Sequence, residues 1–198
     1  MSTSRLETFS DGVFAIAATL LVLLFDVPKG GGTLSHNLLH QWPSYLAYAV
    51  SFLTIGIMWV NHHDVMAQIG QADRTFLFLT IGLLMCIAFV PYPTGIVAEF
   101  IRGGDREAAA LFYGITLTLT AIFFNALWRY AAWNNRLIAH DADPSVVTGI
   151  TRSFRPGVPM YAGSTLVALV SPIASVALFA SVALFYVASN SLFGRATE

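Results

Sequence analysis

Ionisable and hydrogen-bonding side chains are scarce in this chain, and those beside long apolar runs are the ones placed to do chemistry. Arg5, Glu7, Ser10 and Asp11 open the first apolar stretch, and Trp59, Asn61, His62, His63 and Asp64 close the second. Ionisable groups at membrane depth are expensive unless they face protein or water, so they mark ion paths, proton relays or buried networks. His36 or His40 with His62 or His63 would suit haem only if the pairs lay level across a bundle, and they fall near opposite ends of one apolar run. A metal on His62, His63 and Asp64 is disfavoured because adjacent helical residues point about 100° apart; interfacial polar groups account for them better. Cys86 is the one cysteine, which excludes an intramolecular disulfide and a cysteine-based metal site. No nucleophile-and-base constellation and no phosphate-cradling glycine loop occurs. Neither an enzyme nor a cofactor is expected.

The elements that must position these residues are membrane helices. Apolar residues make up 56% of the 198 and charged ones only 11%, against roughly 25% charged in a soluble domain. Lys and Arg number 10 against 11 Asp and Glu, with no basic cluster, so the footprint of nucleic-acid binding is missing. A hydrocarbon core needs about 20 apolar residues per span. Six spans can be marked, at about 5–27, 35–63, 74–99, 106–133, 152–170 and 173–193, forming one all-α transmembrane domain over 1–198. Ala15-Ile16-Ala17 superficially resembles a signal-peptidase site, but too few apolar residues precede it, and the first helix is expected to be retained. Pro28 stops that helix before a connector containing Gly30, Gly31 and Gly32. Pro91 and Pro93 predict a kink or break in the third span.

Cytoplasmic loops keep Lys and Arg. With the N-terminus inside, Arg5, Arg74, Arg129, Arg136, Arg152, Arg155 and Arg195 are cytoplasmic, and Lys29, Arg102 and Arg106 lie outside. Both termini are therefore expected in the cytoplasm, with the chain in a plasma or inner membrane. The outer loops carry Asp26, Glu99, Asp105 and Glu107; an acidic mouth would gather cations, and ordinary solvated loops account for the same residues.

The first helix differs from its neighbours. Its uninterrupted apolar run, Val13 to Phe25, covers only about 20 Å at 1.5 Å per residue, and its start brings charges into the membrane. Such a helix belongs inside a bundle. Ile16, Leu20 and Leu23 fall within roughly 60° of one another, with Thr19 beside them and Gly12 at one margin. Ala15, Ala17 and Ala18 allow close helix approach on the other faces. Arg5 and Asp11 lie about 120° apart around the helix and cannot pair as i, i+4 neighbours. They need partners on another helix, and Trp59, Asn61, His62, His63 and Asp64 stand at the matching level.

Arg5-x-x-x-Phe9-Ser10-Asp11-Gly12 followed by Ile16-Ala17-Ala18-Thr19-Leu20 resembles the signature of the endolysosomal potassium channel family in its bacterial branch. The resemblance extends to Trp59-Val60-Asn61-His62-His63 and Pro91-Tyr92-Pro93-Thr94, most of the N-terminal half. It implies a potassium-permeable, leak-type channel of four six-helix subunits, with the first helices around the axis and no Thr-Val-Gly-Tyr-Gly loop; no such loop occurs here. By the same resemblance Ile16 forms the constriction, Leu20 and Leu23 the next apolar layers, and Thr19 a hydroxyl layer. Arg5, Phe9, Ser10, Asp11, Trp59, Asn61 and His62 form a supporting network. The implied partners are three more copies of the chain, the lipid bilayer and monovalent cations. Two rival readings of the residues are a proton-coupled secondary transporter relaying through Asp11, His62 and His63, and a haem-binding membrane redox protein.

Overall fold

The computed structural model describes residues 3–28, 31 and 33–193, with side chains as far as 184 and at Tyr186. Lys29, Gly30, Gly32 and Arg195 lie outside the described residues. Those described form an all-α structure: α1 (Thr3–Leu20), α2 (Leu34–His40), α3 (Trp42–Ala67), α4 (Arg74–Phe89), α5 (Pro91–Phe100), α6 (Arg106–Ala132), α7 (Pro144–Phe154), α8 (Gly157–Val167) and α9 (Pro172–Phe193). Four segments are long and apolar enough to cross a membrane: Thr3–Leu24, Trp42–Ala67, Arg74–Phe100 and Arg106–Asn135.

Proline punctuates these elements as its chemistry requires. Without an N–H, Pro91 cannot continue α4, so the Ile87 carbonyl takes Val90 N–H at 3.1 Å instead and α5 restarts with Pro91 as its first residue. The third apolar stretch is thus two helices in series. Pro43 has the same effect near the start of α3, and the stretch expected at about 35–63 separates into the short α2 and the long α3. Towards the C-terminus, Pro156 divides the stretch expected at about 152–170. α7 ends at Phe154 and the 11 residues of α8 follow from Gly157, a length of about 16 Å that falls short of a full span. α7 collects Val147, Ile150 and Phe154 on the side packed against the core and turns Ser145, Thr148 and Arg152 outward.

α6 is the central pillar, touching α4, α5, α8 and α9. Its Leu117, Leu127 and Trp128 are essentially inaccessible. Gly114 permits a close approach: a Cβ there would lie 2.6 Å from Thr165 Oγ1 on α8 and 3.0 Å from the Phe179 ring on α9. Hydroxyl pairs join the same helices. Thr118 Oγ1 and Thr165 Oγ1 are 2.9 Å apart, and Ser175 Oγ donates to the Ser164 carbonyl at 2.6 Å. Such short polar links between small residues are the usual glue of helices in lipid, where no hydrophobic drive separates helix from solvent.

At one end of the bundle the α3–α4 and α6–α7 connections are laced together. Gly70 N–H donates to the Leu137 carbonyl and Ala139 N–H to the Gln68 carbonyl, both at 2.9 Å. Asn134 and Asn135 make the turn in the left-handed region, at φ 51° and 53°, where asparagine is among the few side chains tolerated. Asp73 ties the start of α4 to this junction. It caps α4 by accepting Phe76 N–H at 2.9 Å, accepts the Tyr130 hydroxyl at 2.6 Å, and lies 3.4 Å from the Arg136 guanidinium.

Candidate pore-lining helix

α1 presents two unlike faces. Leu6, Ser10, Phe14 and Ala17 recur at spacings of three and four, are buried, and seat the helix in the groove between α3 and α4. The opposite face is uncovered. Ile16 is 61% exposed, Leu20 41% and Leu23 74%, and Thr19, Gly12, Asp11 and Phe9 are exposed with them. Leu21–Leu24 wind as a 3-10 turn, closed by Phe25 N–H donating to the Val22 carbonyl at 3.2 Å. At three residues per turn, positions i and i+3 eclipse, so Leu23 comes directly above Leu20 instead of drifting past Ile16 as an α-helical wheel predicts. Thr19 Oγ1 donates to the Ile16 carbonyl at 2.9 Å, and the side chain is exposed.

The anchoring contacts join α1 to the far end of α3. Trp59 Nε1 donates to Asp11 Oδ1 at 2.9 Å. His63 stacks on Trp59 with ring centroids 6.3 Å apart, and its Nδ1 reaches Glu7 Oε1 at 3.2 Å. These contacts form a ladder along one edge of the helix pair, Glu7–His63 below and Asp11–Trp59 above. The indole N–H gives the Asp11 carboxylate a hydrogen-bond partner on the neighbouring helix.

The other residues expected in the network are placed differently. Ser10 is buried, but its hydroxyl donates to the Leu6 carbonyl of its own helix at 2.8 Å, which satisfies it without a partner on α3. His62 is fully buried against Phe14, ring centroids 5.4 Å apart, and neither ring nitrogen has a hydrogen-bond partner among the described residues. It packs as a flat ring under α1. Asn61 turns to the other side of α3, where with Asn125, Phe154 and Tyr161 it lines a cavity of about 40 Å³. Arg5 and Phe9 are exposed, and Arg5 makes no ion pair or hydrogen bond among the described residues. Two residues of the ladder, Glu7 and His63, stood outside the resemblance's network. Their signal was the matching height of the two helix ends.

The geometry disfavours the rival chemistries. His36 and His40 face each other on α2 at 4.9 Å, while α3 carries His62 about 30 Å further along, too far for one haem. Among the described residues no three His, Cys, Asp or Glu side chains gather as metal ligands.

The matching proteins are channels. Residues 5–91 match the family model described as the endosomal/lysosomal potassium channel TMEM175. A protein named as a potassium channel in Streptomyces collinus is 48% identical over 157 residues, 77% of this chain and 74% of that protein. Another so named, in Chamaesiphon minutus, is 42% identical over 190 residues, 93% of each chain. The crystal structure of a lysosomal potassium-selective channel TMEM175 homolog from Chamaesiphon minutus superposes with a TM-score of 0.86 at 37% identity, over 94% of this chain and 97% of that one.

Proposed function

The chain belongs to the TMEM175 family of endosomal/lysosomal potassium channels, and from that membership we infer a potassium channel, not an enzyme, whose pore is lined by α1. Four copies of the chain surround the axis, each contributing six membrane crossings. The fifth crossing is shortened by Pro156, so that α7 lies at the interface and α8 enters the bilayer. Both termini lie in the cytoplasm, and the cell membrane is the site of action.

The observation that carries this reading is the division of α1 into a seated face and an uncovered one. A helix edge facing lipid would be uniformly apolar, whereas this one sets Gly12 and Thr19 among Phe9, Ile16, Leu20 and Leu23, with Asp11 exposed at its α3 margin. Charges and hydroxyls at membrane depth call for water or protein. Around a fourfold axis the stripe supplies both: the Ile16 side chains make an apolar neck that closes by dewetting, and Leu20 with Leu23, eclipsed by the 3-10 turn, extends it. Thr19 oxygens offer ligands to an ion that has shed part of its water there. Potassium holds that water less firmly than sodium, which gives selectivity without a carbonyl cage. Asp11–Trp59 and Glu7–His63 hold the helix at the angle that keeps the neck narrow.

Planar-bilayer recordings on Ile16→Asn test this directly. A polar ring resists dewetting, so conductance should rise and the reversal potential in potassium against sodium should move towards zero. Unchanged conductance together with an unchanged reversal potential would sink the constriction. Discrete single-channel current steps in the wild type separate a channel from a proton-coupled carrier.

A further inference from the structure

At the end of the bundle away from the α1–α3 ladder, α3, α5, α6 and α9 part around a cavity of about 370 Å³, room for roughly a dozen water-sized groups. Its walls are Leu46, Val50, Val97, Ile101, Val176 and Ala180. Ser51, Thr94 and Tyr113 form the floor, and they satisfy one another: Ser51 Oγ lies 2.9 Å from Thr94 Oγ1 and 3.1 Å from the Tyr113 hydroxyl. An occupant therefore meets mostly apolar surface inside. From Trp42 at the mouth to Ser51 at the floor, nine residues of α3 span about 13 Å, a depth suited to an extended hydrocarbon chain.

The mouth is of opposite character. Arg102 and Arg106 both line it and are exposed, and neither lies within ion-pair distance of a carboxylate among the described residues. Arg102 is held in place with its guanidinium 4.7 Å above the Trp42 ring and 3.5 Å from the His40 carbonyl and Nδ1. Stacked guanidinium groups suit phosphate, which they grip with two parallel N–H donors. Two cations without counter-ions, at the interfacial level of Trp42, stand where a headgroup would be. A mostly apolar shaft lies beneath them.

We propose that this cavity is a binding site for an anionic phospholipid, one acyl chain descending between α3 and α9 and the phosphodiester held by Arg102 and Arg106. The site touches α3 and α5 but none of the residues assigned to the pore face, so it stands or falls independently of the pore reading.

Native mass spectrometry of the full-length protein, titrated with phosphatidylglycerol or phosphatidylcholine of the same chains, tests the site. Phosphatidylglycerol should bind roughly tenfold more tightly or better, since each interfacial cation favours an anionic lipid by an appreciable margin. The double variant Arg102→Gln/Arg106→Gln should lose that preference while still accepting either lipid weakly. Ala180→Phe, which fills the shaft, should lose binding of both. Equal affinity for the two lipids overturns the proposal, as does phosphatidylglycerol binding unaltered in both variants. Oleate binding as tightly as phosphatidylglycerol overturns the phosphodiester assignment, and full competition by inorganic phosphate alone overturns the acyl-chain assignment. A change in oligomeric mass on Ala180→Phe also overturns it, because the face would then be a contact between copies.

Discussion

α1 and α6 are both apolar helices of the same bundle, yet they are packed in opposite ways. α6 packs against five other helices, with Leu117, Leu127 and Trp128 inaccessible and Gly114 closely approached by Thr165 and Phe179, and the large side chains exposed along its middle, Phe112, Ile115, Leu119 and Ile122, are all apolar. α1 is seated along one side only and leaves Ile16, Leu20 and Leu23 uncovered beside Asp11 and Thr19. In lipid, apolar residues gain little from hiding, so exposure of leucine alone means little. Exposure of a carboxylate at the margin of that face carries more, because lipid cannot supply the further hydrogen bonds that a carboxylate with one indole donor still lacks. The contrast separates a helix that holds the subunit together from one whose second face is kept for something else.

Substitutions should fall on the two sides of that contrast. Gly114→Val should be the most damaging. Thr165 cannot swing away without losing Thr118 and the Tyr161 carbonyl, so overpacking should cost about 3 kcal/mol, read as lost thermal stability in detergent. A Gly114→Val protein as stable as the wild type would break the picture of α6 as the pillar.

Asp73→Ala should come next. It removes the α4 cap and the Tyr130 and Arg136 contacts together, at about 2 kcal/mol. The Tyr130 hydroxyl, followed by Phe76 N–H and Arg136, holds the Asp73 carboxyl below the usual carboxylate range. A carboxyl depressed on folding stabilises fully above its unfolded value of about 3.9 and loses that contribution as pH falls through its folded value. The stability gap between wild type and Asp73→Ala should therefore be constant near neutrality and close in acid. A gap independent of pH down to acid unfolding would show that the ion pair and hydroxyl contribute nothing.

Trp59→Phe should cost less stability, about 0.6 kcal/mol for one interhelical hydrogen bond in a membrane protein. It should alter conductance more than folding, since it frees the Asp11 carboxylate at the margin of the proposed pore face. Smallest of all, Ile16→Ala should leave thermal stability within about 0.5 kcal/mol of wild type, because the side chain touches so little of its own subunit. A large loss there would move Ile16 into the core and erase the distinction between the faces.

Much of this was legible in the sequence. The first four helical spans follow from apolar length, the break before Pro91 from the missing N–H, and the Asp11–Trp59 contact from two helix ends at one level. Periodicity could not show that Asn61 turns away from α1, since the face of α3 that meets α1 depends on how α5 and α9 pack behind it. Nor could it show that the last turn of the first helix tightens and brings Leu23 over Leu20. His62 resembled a network member by type, yet it serves by its flat ring against Phe14. The Asp73 clamp had a signal in the Asp-Arg-Thr-Phe start of α4, a plain N-cap pattern, but its partners Tyr130 and Arg136 lie far away in sequence.

The account rests on Ile16 facing a water-filled axis. In a Cys86→Ser background, Ile16→Cys channels in a planar bilayer, exposed to a water-soluble methanethiosulfonate reagent, test it most directly. Progressive loss of potassium current, absent in the background protein, is the predicted result. Full current after complete modification of the introduced thiol, confirmed by mass, would contradict it.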